Sequence, residues 1–465
     1  MSFRLALGAV TLLLALGACT SNDDDTPEND PFLGAVRGIN ALAELEDVRW
    51  RVIFEDFDPS VSTQLFFRAA SPQVEFSQRS YAFSFDVLLP GDEDTTLIIE
   101  TTGTIDPEII YDYVITGTFA DPQIFLWTQP RRDWAQELAD AADNGTEITE
   151  LVVSFGHVAT GVGAVDVYFE APGTDITAAT PIATMAFGQL APPATVEGGT
   201  YQLTLTPEGD PNTVLYASED LDVLAANTAL FTIMENGGIT TQAVSVQLYV
   251  DSLGSTVSDV TTPGVLSVVH GSPDAAAIDV FNSDNFDMPL ISGLAFGELS
   301  DDVVVEEGEI DLAVTPADDV GAILAEQTVD VPATAYRRVF VVGAPGELQS
   351  FSVEDDRRAF LTQGRLRGVN ASTRFDTVDV YLLDPGADLE ESTPAITNLS
   401  FAGASTIATI DPGTYELVVT EVDTTTILFG RSELVIDAGD VVELIVIDDA
   451  ESTNADVFVL QTAGE

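Results

Sequence analysis

The chain has 465 residues, with 77 Asp and Glu against 16 basic residues that are all arginine, and a formal net charge of −61. A surface of that sign is repelled by nucleic acid and by anionic membrane surfaces, which excludes both as partners held by charge. Yet 45% of the residues are hydrophobic and 8% aromatic, enough to build real cores and to exclude a wholly disordered acidic chain.

Residues 1–18 carry Arg4, an apolar stretch from Leu5 to Leu16, then Gly17 and Ala18, the anatomy of a secretory signal. The stretch is too short to span a bilayer comfortably as a helix. The sole cysteine, Cys19, follows at once. A lone thiol forms no intramolecular disulfide and no cysteine-rich metal site, so covalent lipid attachment is its expected use. Leu16-Gly17-Ala18-Cys19 resembles the lipobox of bacterial lipoproteins. The resemblance implies a diacylglycerol on Cys19, cleavage before it and N-acylation. Several chains, each buried methylene adding roughly 0.8 kcal/mol, anchor a protein stably. Thr20 stands where such lipoproteins carry an Asp when they stay in the inner membrane, which implies the outer membrane of a bacterial cell envelope. Residues 19–33, the expected lipidated Cys and a tether containing TSNDDDTPENDP, are too acidic and too poor in apolar residues to fold. Without its signal the chain holds 15 cations against 77 acids, net −62, a charge that suits saline surroundings, where ions screen self-repulsion.

Beyond the tether one unit recurs four times. SFGHVATGVGAVDVYF (154–169), SVVHGSPDAAAIDVF (267–281) and RGVNASTRFDTVDVYL (367–382) align without gaps. In each, His157, His270 or Asn370 lies nine positions before Asp166, Asp279 or Asp379. Further on, Phe187, Phe296 and Phe401 each precede Tyr201, Ile310 and Tyr415 by fourteen residues. Those three open strands of alternating polarity. The first copy is divergent: AVRGINA (35–41) matches RLRGVNA (365–371), placing Asn40 with Asn370, while Arg49 stands for the Asp and the step from Phe83 to Leu97 is also fourteen. Copies begin 100 to 117 residues apart, the size of one sandwich each rather than a solenoid repeat.

Short strands broken by Gly, Pro, Asp and Asn predict an all-β chain of tandem immunoglobulin-like antiparallel β-sandwich domains. The expected boundaries are 34–132, 149–262, 263–361 and 362–465. Residues 133–148 are expected to hold one short linker helix. There Asp133 can cap, Gln136 can reciprocate, Trp134, Leu138 and Ala141 share a face and Gly145 can stop the helix. VVHGSPDAAAIDVF and GVNASTRFDTVDVYL resemble the bacterial domain of unknown function numbered 4397, in which a His/Asn-Ala-Ser-Pro pattern runs into Val-Asp-Val-Tyr. The resemblance implies tandem immunoglobulin-like domains on secreted or lipid-anchored proteins. It implies no reaction.

The repeated positions Asn40, His157, His270, Asn370, Asp166, Asp279 and Asp379 are the candidate site. A His near a carboxylate suits acid–base work or metal ligation. However, two of four copies use Asn, which neither titrates nor acts as a base, so a turn-anchoring side chain is the expectation. The Asp shares its strand face with the Tyr and not with the valines, as exposure or loop anchoring requires. No GxSxG elbow, P-loop or dinucleotide fingerprint is present. No catalytic residue, cofactor or metal ligand is therefore assigned. Calcium in the loops SDNFD (283–287), DPGADLEE (384–391) or DNGTE (143–147) is the alternative those acids raise, although none has EF-hand spacing. Arg131-Arg132, Arg337-Arg338 and Arg357-Arg358 are expected to bridge neighbouring domains through carboxylates. The resulting expectation is a non-enzymatic, lipid-anchored envelope scaffold whose ligand is an envelope protein or a glycan. A carbohydrate- or ester-active enzyme or a calcium-dependent adhesin is the alternative.

Overall fold

The computed structural model describes residues 33–463 except 55–56, 90–93, 238–243, 251–252, 274, 318, 345 and 450–451. Residues 1–32, which include Cys19 and the expected tether except its last residue, lie outside the described residues; Leu33, assigned to the tether, opens the first strand. The chain is all-β, with eight sheets of four or five strands stacked in pairs as four sandwiches. Each sandwich encloses its own core. Trp50, Phe83, Phe85 and Tyr113 fill the first, Phe155, Phe169 and Phe231 the second, and mostly Val and Leu the third and fourth.

Each unit adds one parallel pair to its otherwise antiparallel sheets. Its opening strand runs beside one near its end, the next-to-last in three units and the third from last in the second: Leu33–Asn40 with Ile109–Gly117, Glu150–His157 with Thr228–Glu235, Gly264–His270 with Tyr336–Val342, and Gly364–Asn370 with Asp440–Asp448. Parallel neighbours need a long crossover, and here most of the unit supplies it.

These eight strands are buried on both faces, whereas a strand such as Ala325–Val331 alternates. Sandwich-on-sandwich packing is the reason. Ile39, Val114 and Trp127 of the first unit meet Val158, Leu230, Met234 and Tyr249 of the second. Val269, Phe340 and Val342 of the third meet Val369, Ile445 and Ile447 of the fourth. Sheets buried on both sides read as nearly continuous apolar runs, and VVELIVI (441–447) is such a run. Trp127 lies directly against Gly156: a Cβ there would sit 2.4 Å from its ring. The two pairs of units also touch, through Leu361 N–H to the Glu44 carbonyl at 2.9 Å and Arg358 over the Phe67 ring.

The helix Trp134–Asn144 joins the first two units. Asp133 accepts from the Gln136 N–H, and Gly145 ends the helix in the left-handed region. The Gln136 side chain bonds Asp140 rather than reciprocating to the cap. The helix buries none of its residues, and its first turn is tied down by Trp134 Nε1 to Thr228 Oγ1 at 3.0 Å.

Candidate functional site

Asn40, His157, His270 and Asn370 each end the opening strand of their unit and have no exposed surface. All four bond the backbone through both polar atoms of the side chain. One side-chain atom accepts from the N–H two residues on: Leu42 to Asn40 Oδ1, Ala159 to His157 Nδ1, Ser272 to His270 Nδ1, and Ser372 to Asn370 Oδ1, at 2.9, 3.3, 3.3 and 3.0 Å. The other donates to a backbone carbonyl: in the loop that follows for His157 Nε2 to Gly163, His270 Nε2 to Ala276 and Asn370 to Phe375, and on a neighbouring strand for Asn40 to Leu65 and, as a second bond, Asn370 to Leu399. This network assigns the Nε2–H tautomer of both imidazoles. Removal from water pushes both rings below the ordinary histidine pKa, so they stay neutral.

The backbone of the same residue is held as consistently. Its carbonyl accepts from the N–H of Arg68, Gly188, Gly297 or Ala402, at 2.7–2.9 Å. Each donor adopts a left-handed φ, between 51° and 83°, and each follows a phenylalanine. Phe187 and Phe296 stand edge-on to their histidines with centroids 6.4 Å apart. The first-copy equivalent is therefore Phe67 and not Phe83, which belongs to the core. With that correction the spacing holds in all four units, since Tyr81 lies fourteen residues after Phe67. Tyr81, Tyr201 and Tyr415 then do one job, each hydroxyl donating to the carbonyl four residues upstream. Ile310 replaces the Tyr in the third unit.

The strand carboxylates lie in the opposite sheet and hold different loops. Asp166 accepts from Thr184 Oγ1 and Gly209 N–H, Asp279 from Gly293 N–H, and Asp379 from Asn398 and Asp423 N–H. The four backbone donors all have left-handed φ; Gly209 and Asp423 sit in turns and Gly293 and Asn398 at register irregularities of edge strands, so each carboxylate fixes backbone that lacks a regular strand partner. Across the ladder from these Asp stand Thr206, Thr315 and Thr420. In the first unit the corresponding pair is Arg49 and Asp86: the acid has moved to the neighbouring strand, where it is buried and accepts from Arg51 at 2.7 Å. The motif's aromatic is covered by the loop that follows it, Phe281 by Phe286 and Tyr381 by Leu389.

In the acidic loops, Asn282, Asn285 and Asp388 accept from N–H groups two residues ahead. Among the described residues no group of three or more His, Cys, Asp or Glu is placed to hold a metal ion. An open depression lies on the fourth unit beside Asp379, Tyr381, Glu390 and Asp423. No helix among the described residues is long and apolar enough to cross a membrane.

The arginine pairs divide. Arg132 reaches Glu137 of the helix and Glu150 of the second unit, and Arg131 reaches Glu75 of its own. Arg338 bridges the third and fourth units, donating to Asp355 at 2.8 Å and to Glu443 at 2.6 Å, with Arg367 on the other Glu443 oxygen. Arg357 also reaches Asp355. All four members of the central cluster, Arg338, Glu443, Arg367 and Asp355, are buried. The first unit repeats the device with Arg37 and Asp112 at 2.7 Å, the guanidinium over Tyr249 of the second unit. The bridge by Arg338 matches the expectation for its pair; the buried partners Glu443, Arg367, Arg37 and Asp112 escaped the sequence reading, although the charges inside VVELIVI and IIYDYVI were a signal for Glu443 and Asp112.

The family described as "Domain of unknown function (DUF4397)" matches residues 264–381, which is the third unit and the opening strands of the fourth. No curated protein matches the chain. Among solved structures, the Bacillus anthracis TIE protein is 9% identical with a TM-score of 0.15, over 91% of this chain and 76% of its own. A candidate cell adhesion protein from Bacteroides ovatus is 8% identical with a TM-score of 0.14, over 49% of this chain and 97% of its own. A second, from Parabacteroides distasonis, is 10% identical with a TM-score of 0.16, over 68% and 99%.

Proposed function

We propose that this protein is a non-enzymatic, lipid-anchored scaffold of the bacterial cell envelope, held through Cys19 in the outer membrane. The observation that carries the reading is how the repeated polar positions are used. Both histidines are buried, neutral and bonded on each ring nitrogen to backbone, and the strand carboxylates accept from the turns and strand irregularities they fix. Side chains so committed do not present a base or a nucleophile to a substrate. What the sandwiches offer instead is a stiff body with acidic outer surfaces, joined to the membrane by the tether 19–33. An envelope protein or a glycan is the ligand class that suits such a body.

Cys19→Ser tests the anchor. The wild-type chain is expected in the membrane fraction with an acylated N-terminal Cys by mass spectrometry, and the variant in the soluble fraction. Equal membrane association of both, or an unmodified Cys in the mature protein, would overturn the proposal.

A further inference from the structure

In every unit the sheet that packs on the neighbouring sandwich continues past the parallel pair into one further strand, or two in the second unit, and the outer edge of the last is an open row of N–H and C=O groups unless it is short or interrupted. The first three units block it in three ways. Pro122–Pro130 has proline at both ends. Val244–Val250 is covered by Leu253–Val257, which moves the edge to a strand of only five residues broken by Gly254. Gln349–Glu354 is short, polar at alternate positions and ends on a carboxylate. The fourth unit has none of these. Ala455–Ala463 runs nine residues in unbroken register with Asp440–Asp448, and from Val457 to Ala463 its sequence, VFVLQTA, holds no charge, proline or glycine. Val459 is 39% exposed. Among the described residues no strand pairs with its outer edge.

We propose that this edge is a self-association site, at which Ala455–Ala463 pairs antiparallel with the same strand of a second copy about a two-fold axis. The charge pattern selects that occupant. With the axis at Leu460, Val457 faces Ala463, Phe458 faces Thr462 and Val459 faces Gln461, so the uncharged run meets only itself and Asp456 falls outside the ladder. Elsewhere, a surface with 77 acids against 16 arginines sets carboxylate against carboxylate when two copies meet. The two chains still repel as wholes, so pairing requires salt to screen them.

The test uses the full chain carrying Cys19→Ser, so that the lipid does not drive association. Sedimentation velocity at low and at molar sodium chloride is expected to show a monomer that doubles in mass as salt rises. Hydrogen exchange of the Val457–Thr462 amides is expected to slow in the dimer. Val459→Lys should remove the dimer without lowering the melting temperature. If that variant melts early, Thr462→Lys, at an exposed position of the same strand, takes its place. A monomer at every salt concentration would overturn the proposal, as would a dimer that survives both Lys variants or leaves exchange in this strand unchanged.

Discussion

His270 does nothing in this fold that an asparagine does not do at the same place in the fourth unit. Its Nδ1 stands in for the Asn370 carbonyl oxygen and its Nε2–H for the amide N–H, each serving the same backbone groups of the turn. His270→Asn is therefore expected to keep the melting temperature close to wild type. His270→Ala strands the Ser272 N–H and the Ala276 carbonyl in a dry site and should cost about 1–3 kcal/mol; denaturant unfolding of the two variants distinguishes these outcomes. The same geometry sets a pH dependence. Because burial lowers both imidazole pKa values, the unfolded chain binds more protons than the folded one once pH drops below about 6.5. Stability from these sites is complete above that value and is lost as pH falls through the usual histidine range. The double variant His157→Asn/His270→Asn should flatten this limb between pH 7 and about 5.5. An unchanged slope would assign the limb to other groups.

At the scale of elements, the doubly buried sheets decide how the units combine, and they carry their charges inward. Arg338 is shared between Asp355 and Glu443 with almost no water nearby. Removing Arg338 leaves two buried carboxylates with one cation each, Glu443 on Arg367 and Asp355 on Arg357, each short of a charge-assisted bond in a dry site, at a cost of about 3 kcal/mol. Arg131, paired with Glu75 at the surface, should lose under about 1 kcal/mol as Arg131→Ala. Urea melts of Arg338→Ala and Arg131→Ala measure the contrast, and equal losses would contradict the buried assignment. The sequence showed these strands as long apolar runs but not their second partner. VVELIVI is as consistent with a strand covered by a helix as with one covered by another sandwich, because hydrophobicity records that a face is buried and not what buries it.

For the whole molecule, about 60 uncompensated negative charges lie on one compact body. Their mutual repulsion opposes the compact state and weakens as ions shorten its range, from a Debye length of about 30 Å at 0.01 M salt to about 10 Å at 0.1 M. The melting temperature is expected to rise with sodium chloride over that interval. A flat or falling curve, read by calorimetry, would mean that the carboxylates stand too far apart to repel appreciably. The same screening governs the proposed strand pairing, so stability and self-association should rise together with salt.

Composition, spacing and alternation alone determine the all-β class, because strands with one wet face must alternate and tight turns need Gly, Pro, Asn and Asp. The nine-residue step from His157, His270 or Asn370 to an Asp was equally plain in the sequence, since each copy keeps the same turn between the same two strands. Only the tertiary structure decided which phenylalanine of the first copy is the repeated one. Phe67 and Phe83 both offer a fourteen-residue step, to Tyr81 and Leu97, and only the bond from the Arg68 N–H to the Asn40 carbonyl separates them. It also decided that the opening strand pairs in parallel with a strand about 70 residues away and that the units pack two by two. Contacts between residues so far apart leave no local period in the sequence; they arise from the shape and burial of complete sheets.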